Sequence, residues 1–261
     1  DPDVMTRMKV FGENQLGKGI VVGKDTPNFV GNRIGCYSMS LTMNEMTAAN
    51  LTPEDVDAIT GPPMGHPKSA SFRTADMVGL DTFKHVSDNC YEALVDDPER
   101  DVFKPPHYLV AMVEQKILGN KTRGGFYKRT KEGIQTFDPV KLEYRAKAGD
   151  ADIKKFCKSL KGSPAARVKA LVENDGPAGK FAWTVLSRTL AYSATMIGEI
   201  ADEVEAVDNA MKWGYNWDLG PFETWDAIGF RAAYDRMKAD GLPMPASVDK
   251  MAESGAESFY T

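Results

Sequence analysis

Few side chains in this sequence combine a reactive type with a telling position. The first is an amide–guanidinium pair, Asn32–Arg33, in the stretch "GKDTPNFVGNRIG" at the head of an apolar run, where a buried helix would ordinarily carry Leu or Ala. A neutral carboxamide donates and accepts hydrogen bonds at once, so it can serve as a helix cap, as a partner for a loop carbonyl, or as an orienting group in a site. On pattern alone the structural roles are favoured. His66, His85 and His107 share no metal-ligand spacing with one another or with Cys36, Cys90 and Cys157, so no metal site is expected. His66 lies in the Gly/Pro loop "GPPMGHPKSASF", where either a loop role or a ligand contact is open to it. The glycines of "GKGIVVG" precede an apolar triplet instead of following a strand, the reverse of a dinucleotide fingerprint.

The elements that would position these residues are helical. The chain has 261 residues, 42% of them hydrophobic, and a net charge of −5, which argues against a general nucleic-acid binder. No apolar run is long enough to span a membrane, and three widely spaced cysteines fit free thiols in a reducing, cytoplasmic setting. Val30, Ile34, Tyr37 and Leu41 form one helical stripe, and Leu186, Leu190, Ser193, Ile197 and Ile200 form another. "LTPEDVDAI" carries a capping box, with Thr52 as cap, Pro53 at the first helical position and Asp55 three residues on. Further helices are expected near 71–78, 81–95 and 107–118. Residues 128–177 read as a charged helical connector, with short helices near 139–148, 150–160 and 164–174. Ile20–Val22 reads as a lone strand, which cannot pair with itself.

One unit occurs twice. "SFRTADMVGL" and "PFETWDAIGF" share the frame F-x-x-x-D-x-x-G, so that Phe72, Asp76 and Gly79 answer Phe222, Asp226 and Gly229. Upstream, "EDVDAITGPPMGHP" answers "EAVDNAMKWGYNWDLGP", and the helices from Phe29 and Phe181 answer each other. The shared Phe–Asp–Gly triplets mark scaffold, each Asp standing where it could bond a neighbouring helix end.

"KDTPNFVGNRI", "MGHPKSASFRTADMVGLDT" and "LGNKTRGGFY", in this order and spacing, resemble the C-terminal helical domain of the L-3-hydroxyacyl-CoA dehydrogenases of fatty-acid β-oxidation. "GPFETWDAIG" and "SGAESFY" extend the resemblance as a second, degenerate copy, an arrangement similar to bacterial bifunctional proteins that also carry an enoyl-CoA hydratase domain. The resemblance implies an all-α chain related to the helical domain of 6-phosphogluconate dehydrogenase. Residues 1–26 would be the last helix and strand of an upstream NAD-binding domain, 27–127 the first helical domain, 128–177 the connector and 178–261 the second copy. NAD and the catalytic His–Glu pair would belong to the missing domain, leaving this piece inactive alone and without a cofactor site.

Within the family pattern, Asn32 matches the residue that positions the catalytic His and the 3-oxygen of the acyl-CoA substrate. Arg33 would contact a phosphate of CoA or pair with a carboxylate on the scaffold. Lys68 and Ser69 are candidates for lining the acyl-pantetheine channel, although Ser-Ala-Ser-Phe here departs from the commoner Gly-Pro-Phe loop. In the second copy Thr184 or a neighbour takes the asparagine's place, so that copy reads as non-catalytic. Two fused copies imply an internal pseudo-dimer and a monomeric or weakly associated chain. The rival to a catalytic reading is a helical scaffold or interaction module in which the motifs persist only as packing.

Overall fold

The stripe that begins at Val30 is fully used. Val30, at the N-cap of helix α2, Gly31–Ala48, and Ile34, Tyr37 and Leu41 within it are each no more than 3% exposed. The structure is a computed structural model and describes residues 1–260. Before α2 come α1, Pro2–Val10, which buries none of its residues, and a coil through residues 17–24. The strand expected at Ile20–Val22 does not form. Lacking a strand to pair with, the segment lies along the second half of the chain, where the Lys24 N–H donates to the Ile200 carbonyl at 2.9 Å.

The first helical unit continues with α3, Pro53–Ile59, α4, Phe72–Val78, α5, Leu80–Ala93, and α6, His107–Glu114. Thr52 and Asp55 form the capping box read from the sequence. The connector departs from expectation. Instead of a helix near 139–148, an antiparallel meander runs through β1, Tyr127–Thr130, β2, Gly133–Asp138, and β3, Glu143–Ala146. Thr130 faces Gly133 across a two-residue loop, and buried Phe126 and Phe137 anchor the sheet to the helices. Aromatic and β-branched residues here find one buried face and prevail over the charged residues between them. The two later connector helices appear as α7, Ala151–Ser159, and α8, Pro164–Val172.

The second unit is α9, Pro177–Thr195, α10, Val204–Tyr215, α11, Pro221–Ile228, α12, Phe230–Ala239, and α13, Ala246–Glu253. Its hydrogen bonds repeat those of the first. Asp57 on α3 accepts from the Phe72 N–H opening α4 at 2.7 Å and from the Tyr127 hydroxyl at 2.8 Å. Asp208 on α10 accepts from the Phe222 N–H in α11 at 2.8 Å and from the Tyr260 hydroxyl at 2.7 Å. The triplet aspartates then hold the two Phe-Tyr segments. Asp76 takes the N–H groups of Phe126 and Tyr127 at 2.7 and 2.9 Å, and Asp226 those of Phe259 and Tyr260 at 2.8 and 3.0 Å. These aspartates thus secure an incoming chain segment, while the helix ends fall to Asp57 and Asp208. Burial raises all four carboxyls, Asp57 to about 7 and Asp76 and Asp208 each to about 6.

The two units meet along α2 and α9, with Tyr37 and Tyr192 stacked at 3.8 Å between ring centres. Among the described residues no helix is long and apolar enough to cross a membrane.

Candidate functional site

Asn32 stands on the first turn of α2 with its side chain exposed, on the rim of a groove of about 550 Å³. The lining is largely apolar, with Met39, Met64, Met77, Val78, Phe83 and Val86 among its residues. Flexible methionines suit a groove that must accept an irregular apolar guest. Hydroxyl groups lie between them, among them Ser38, Thr42, Thr60, Ser69, Ser71, Thr74 and Thr82. Ser69 is held there by the Thr74 hydroxyl, which donates to it at 2.8 Å. A groove with this largely apolar lining, and with the exposed amides of Asn32 and Asn216 at its edge, can take an extended apolar ligand that carries a polar group.

Arg33, the neighbour of Asn32, points the other way and is fully buried. Its Nε donates to the Tyr192 hydroxyl at 2.6 Å, and its Nη2 reaches Asp97 at 2.7 Å and Glu199 at 2.9 Å. Burial alone would lower this guanidinium, but Tyr192 and Asp97 against it raise it. Of the two roles open to Arg33, the scaffold carboxylate is realised, since a fully buried guanidinium cannot meet a phosphate in solvent. Across the unit boundary, Arg188 on α9 repeats the pattern, donating to Glu45 at 2.9 Å and Glu99 at 2.6 Å. The two arginines and two tyrosines share one spacing, "NRIGCYS" at Asn32–Ser38 and "SRTLAYS" at Ser187–Ser193.

The description "3-hydroxyacyl-CoA dehydrogenase, C-terminal domain" belongs to the family that matches this chain, at residues 29–129 and again at 179–258. The chain belongs to the 3-hydroxyacyl-CoA dehydrogenase family. It is 46% identical over its whole length to a Bacillus subtilis protein named "Probable 3-hydroxyacyl-CoA dehydrogenase", of which it spans 33%. It is 36% identical over 48% of its length to the mitochondrial hydroxyacyl-coenzyme A dehydrogenase of Rattus norvegicus, spanning 40% of that protein. The crystal structure of 3-hydroxybutyryl-CoA dehydrogenase from Escherichia coli K12 shares the fold, with a TM-score of 0.63 at 16% identity over 93% of this chain and 63% of that one. The chain thus spans about a third of the length of its Bacillus subtilis relative.

Within this dehydrogenase family chain, the residues singled out from the sequence separate. Asn32 and Ser69 line one groove. Lys68 turns instead into a second cleft of about 670 Å³, beside Lys154, Lys158 and Lys161. His66 lines the Asn32 groove, donates from Nδ1 to the Thr60 carbonyl at 3.2 Å, and stacks on Trp217 with ring centres 4.1 Å apart. Burial lowers its imidazole to about 4, so it is neutral at ordinary pH. The counterpart of Asn32 in the second unit is Ser187, the residue before Arg188. Thr184 lies nearly a turn earlier and bonds the Lys180 carbonyl at 3.0 Å.

Sequence reasoning passed over a wall of the groove that comes from the second unit: Gly214, Tyr215, Asn216 and Trp217 at the end of α10. The signal was present in "MKWGYNW", which replaces the first unit's Gly-Pro-Pro-Met with aromatic residues. The Gly17–Gly23 run lies in coil that opens no helix, and among the described residues no strand leads through a Gly-x-Gly-x-x-Gly turn into a helix.

Proposed function

We propose that this chain is the C-terminal part of an NAD-dependent L-3-hydroxyacyl-CoA dehydrogenase of fatty-acid β-oxidation, and that it forms the substrate-cleft wall. The observation that carries this reading is the placement of Asn32, from the family's Asn-Arg pair, on the rim of an apolar groove. The acyl chain lies against Met39, Met64 and Met77, and the hydroxyl-bearing carbon sits at the rim. There the Asn32 amide donates one hydrogen bond and accepts another, holding the 3-oxygen and the imidazole of an upstream histidine in one geometry without adding charge. NAD supplies the hydride acceptor and is held by the upstream domain, to which residues 1–26 are assigned. The open face of α1, with Val4, Met5 and Met8 each about half exposed, supports a further surface packing there.

The two units, 27–127 and 178–261, are read as a duplication with 128–177 between them. Supporting this are the twofold family match and the repeated aspartate and arginine networks. The second unit is non-catalytic by this reading, since Ser187 replaces the amide. The three cysteines are free and buried, in keeping with a reducing cytoplasm.

The test is NADH formation by the full-length protein with a 3-hydroxyacyl-CoA and with the corresponding free acid. Turnover of the thioester is expected, and Asn32→Ala should lower kcat roughly a hundredfold, as loss of one oriented polar group in a site does. Unchanged turnover in Asn32→Ala would leave the helices as scaffold only.

A further inference from the structure

We infer that the second helical unit supplies a positioning residue to the site of the first: Tyr215, at the end of α10, fixes the amide of Asn32. This rests on the reading of Asn32 given above. The Tyr215 hydroxyl donates to Asn32 Oδ1 at 2.9 Å across the unit boundary. With the phenol donating, the amide is held with its Oδ1 toward Tyr215 and its Nδ2 away from it. With Oδ1 anchored, the two Nδ2 hydrogens and the remaining Oδ1 lone pair are left for the cleft. Burial, with Cys36 and Cys90 nearby, raises the phenol above its ordinary value, so it stays a donor through the working pH range.

The backbone of α2 is shaped for this ring. Gly31 and Gly35 lie one turn apart on the face that Tyr215 covers. A methyl group at Gly35 would collide with the ring, and one at Gly31 would touch it at 3.5 Å. Two glycines in the opening turns of a helix cost about 1 kcal/mol each relative to alanine, so their presence calls for a packing reason. The seated ring provides it. On the other side, α10 ends with Asn216 in the left-handed conformation, at φ 53°, which stops the helix at the turn that carries Tyr215. The second unit, which lacks the amide, is therefore retained as the part that aims it.

Tyr215→Phe in the full-length enzyme isolates the hydroxyl, since the ring still fills the slot over Gly35. The expected result is a kcat lowered about fivefold, the size of one ordinary hydrogen bond, with an unchanged KM for the acyl-CoA and an unchanged unfolding temperature. A structural role would move the unfolding temperature and spare the kcat-to-KM split. The second arm places Tyr215→Phe on Asn32→Ala, assayed at enzyme concentrations high enough to read the residual rate. No further loss is expected there, because the hydroxyl acts only through the amide. Wild-type kcat in Tyr215→Phe, or the same fold loss with and without Asn32, overturns the inference. If Asn32→Ala itself retains full turnover, it is the underlying site reading that fails, and the two failures are told apart.

Discussion

Replacing Arg33 with methionine tests the buried joint between the two units directly. The side chains of Arg33 and Asp97 are 0% and 1% exposed, and the guanidinium also holds Tyr192 and Glu199. Methionine removes the charge and leaves Asp97 buried, with only the Tyr192 hydroxyl at 2.7 Å and the Glu99 N–H at 2.8 Å still donating to it. Breaking a buried ion pair from one side costs about 3–5 kcal/mol. In a chain of this size each kcal/mol moves the unfolding midpoint by about 2–4 °C, so a drop on the order of 10 °C is expected. Arg188 gives the internal contrast. Its side chain is 26% exposed and its partners 27% each, which places the matching Arg188→Met loss near 1 kcal/mol. Arg33→Lys, which keeps the charge but loses the planar fork, should fall between the two. Thermal unfolding followed by circular dichroism and tryptophan fluorescence reads all three variants. The reasoning fails if Arg33→Met unfolds with the wild type, or if Arg188→Met is equally damaging.

Gly35→Ala should drive the Tyr215 ring from its slot, costing about 1–3 kcal/mol of stability as overpacking does and lowering kcat of the full-length enzyme as Tyr215→Phe does. A variant with normal stability and turnover would remove the slot from consideration. Asp208→Asn should flatten the pH dependence of stability. The folded carboxyl titrates at about 6, above its unfolded value of about 3.9. It binds more protons folded than unfolded between these values, so its contribution is full below pH 4 and is lost as pH rises through 6. Denaturant midpoints across that window, wild type against variant, check the sign. Light scattering should find one chain per particle, because the apolar stripe of α2 is already covered by α9. A tight dimer that buries the Phe29–Leu41 helix would contradict this.

The helices were legible because their apolar stripes are long and their caps explicit, as at Val30–Leu41 and Thr52–Asp55. The frame shared by Phe72–Gly79 and Phe222–Gly229 was visible in the sequence, and its two aspartates make matching bonds to a following Phe-Tyr pair. The meander at Tyr127–Ala146 was hidden because charged residues alternate with its few buried ones, a pattern that blurs helical and extended periods alike. Asn32 and Ser69, named from motifs, line one groove, but Lys68, one residue from Ser69, faces another cleft, since a loop's neighbours need not share a side. Tyr215 and Trp217 were out of reach for a different reason. They approach Asn32 and His66 from more than a hundred residues away, and only the packing of the two units brings them there.

The stacked tyrosines and the two arginines join α2 to α9 within one chain. A symmetric dimer, however, carries every substitution twice and exists only where its concentration permits. Within one chain the two faces stay paired at any dilution, and they need not be identical: asparagine stands before the arginine of α2 and serine before that of α9.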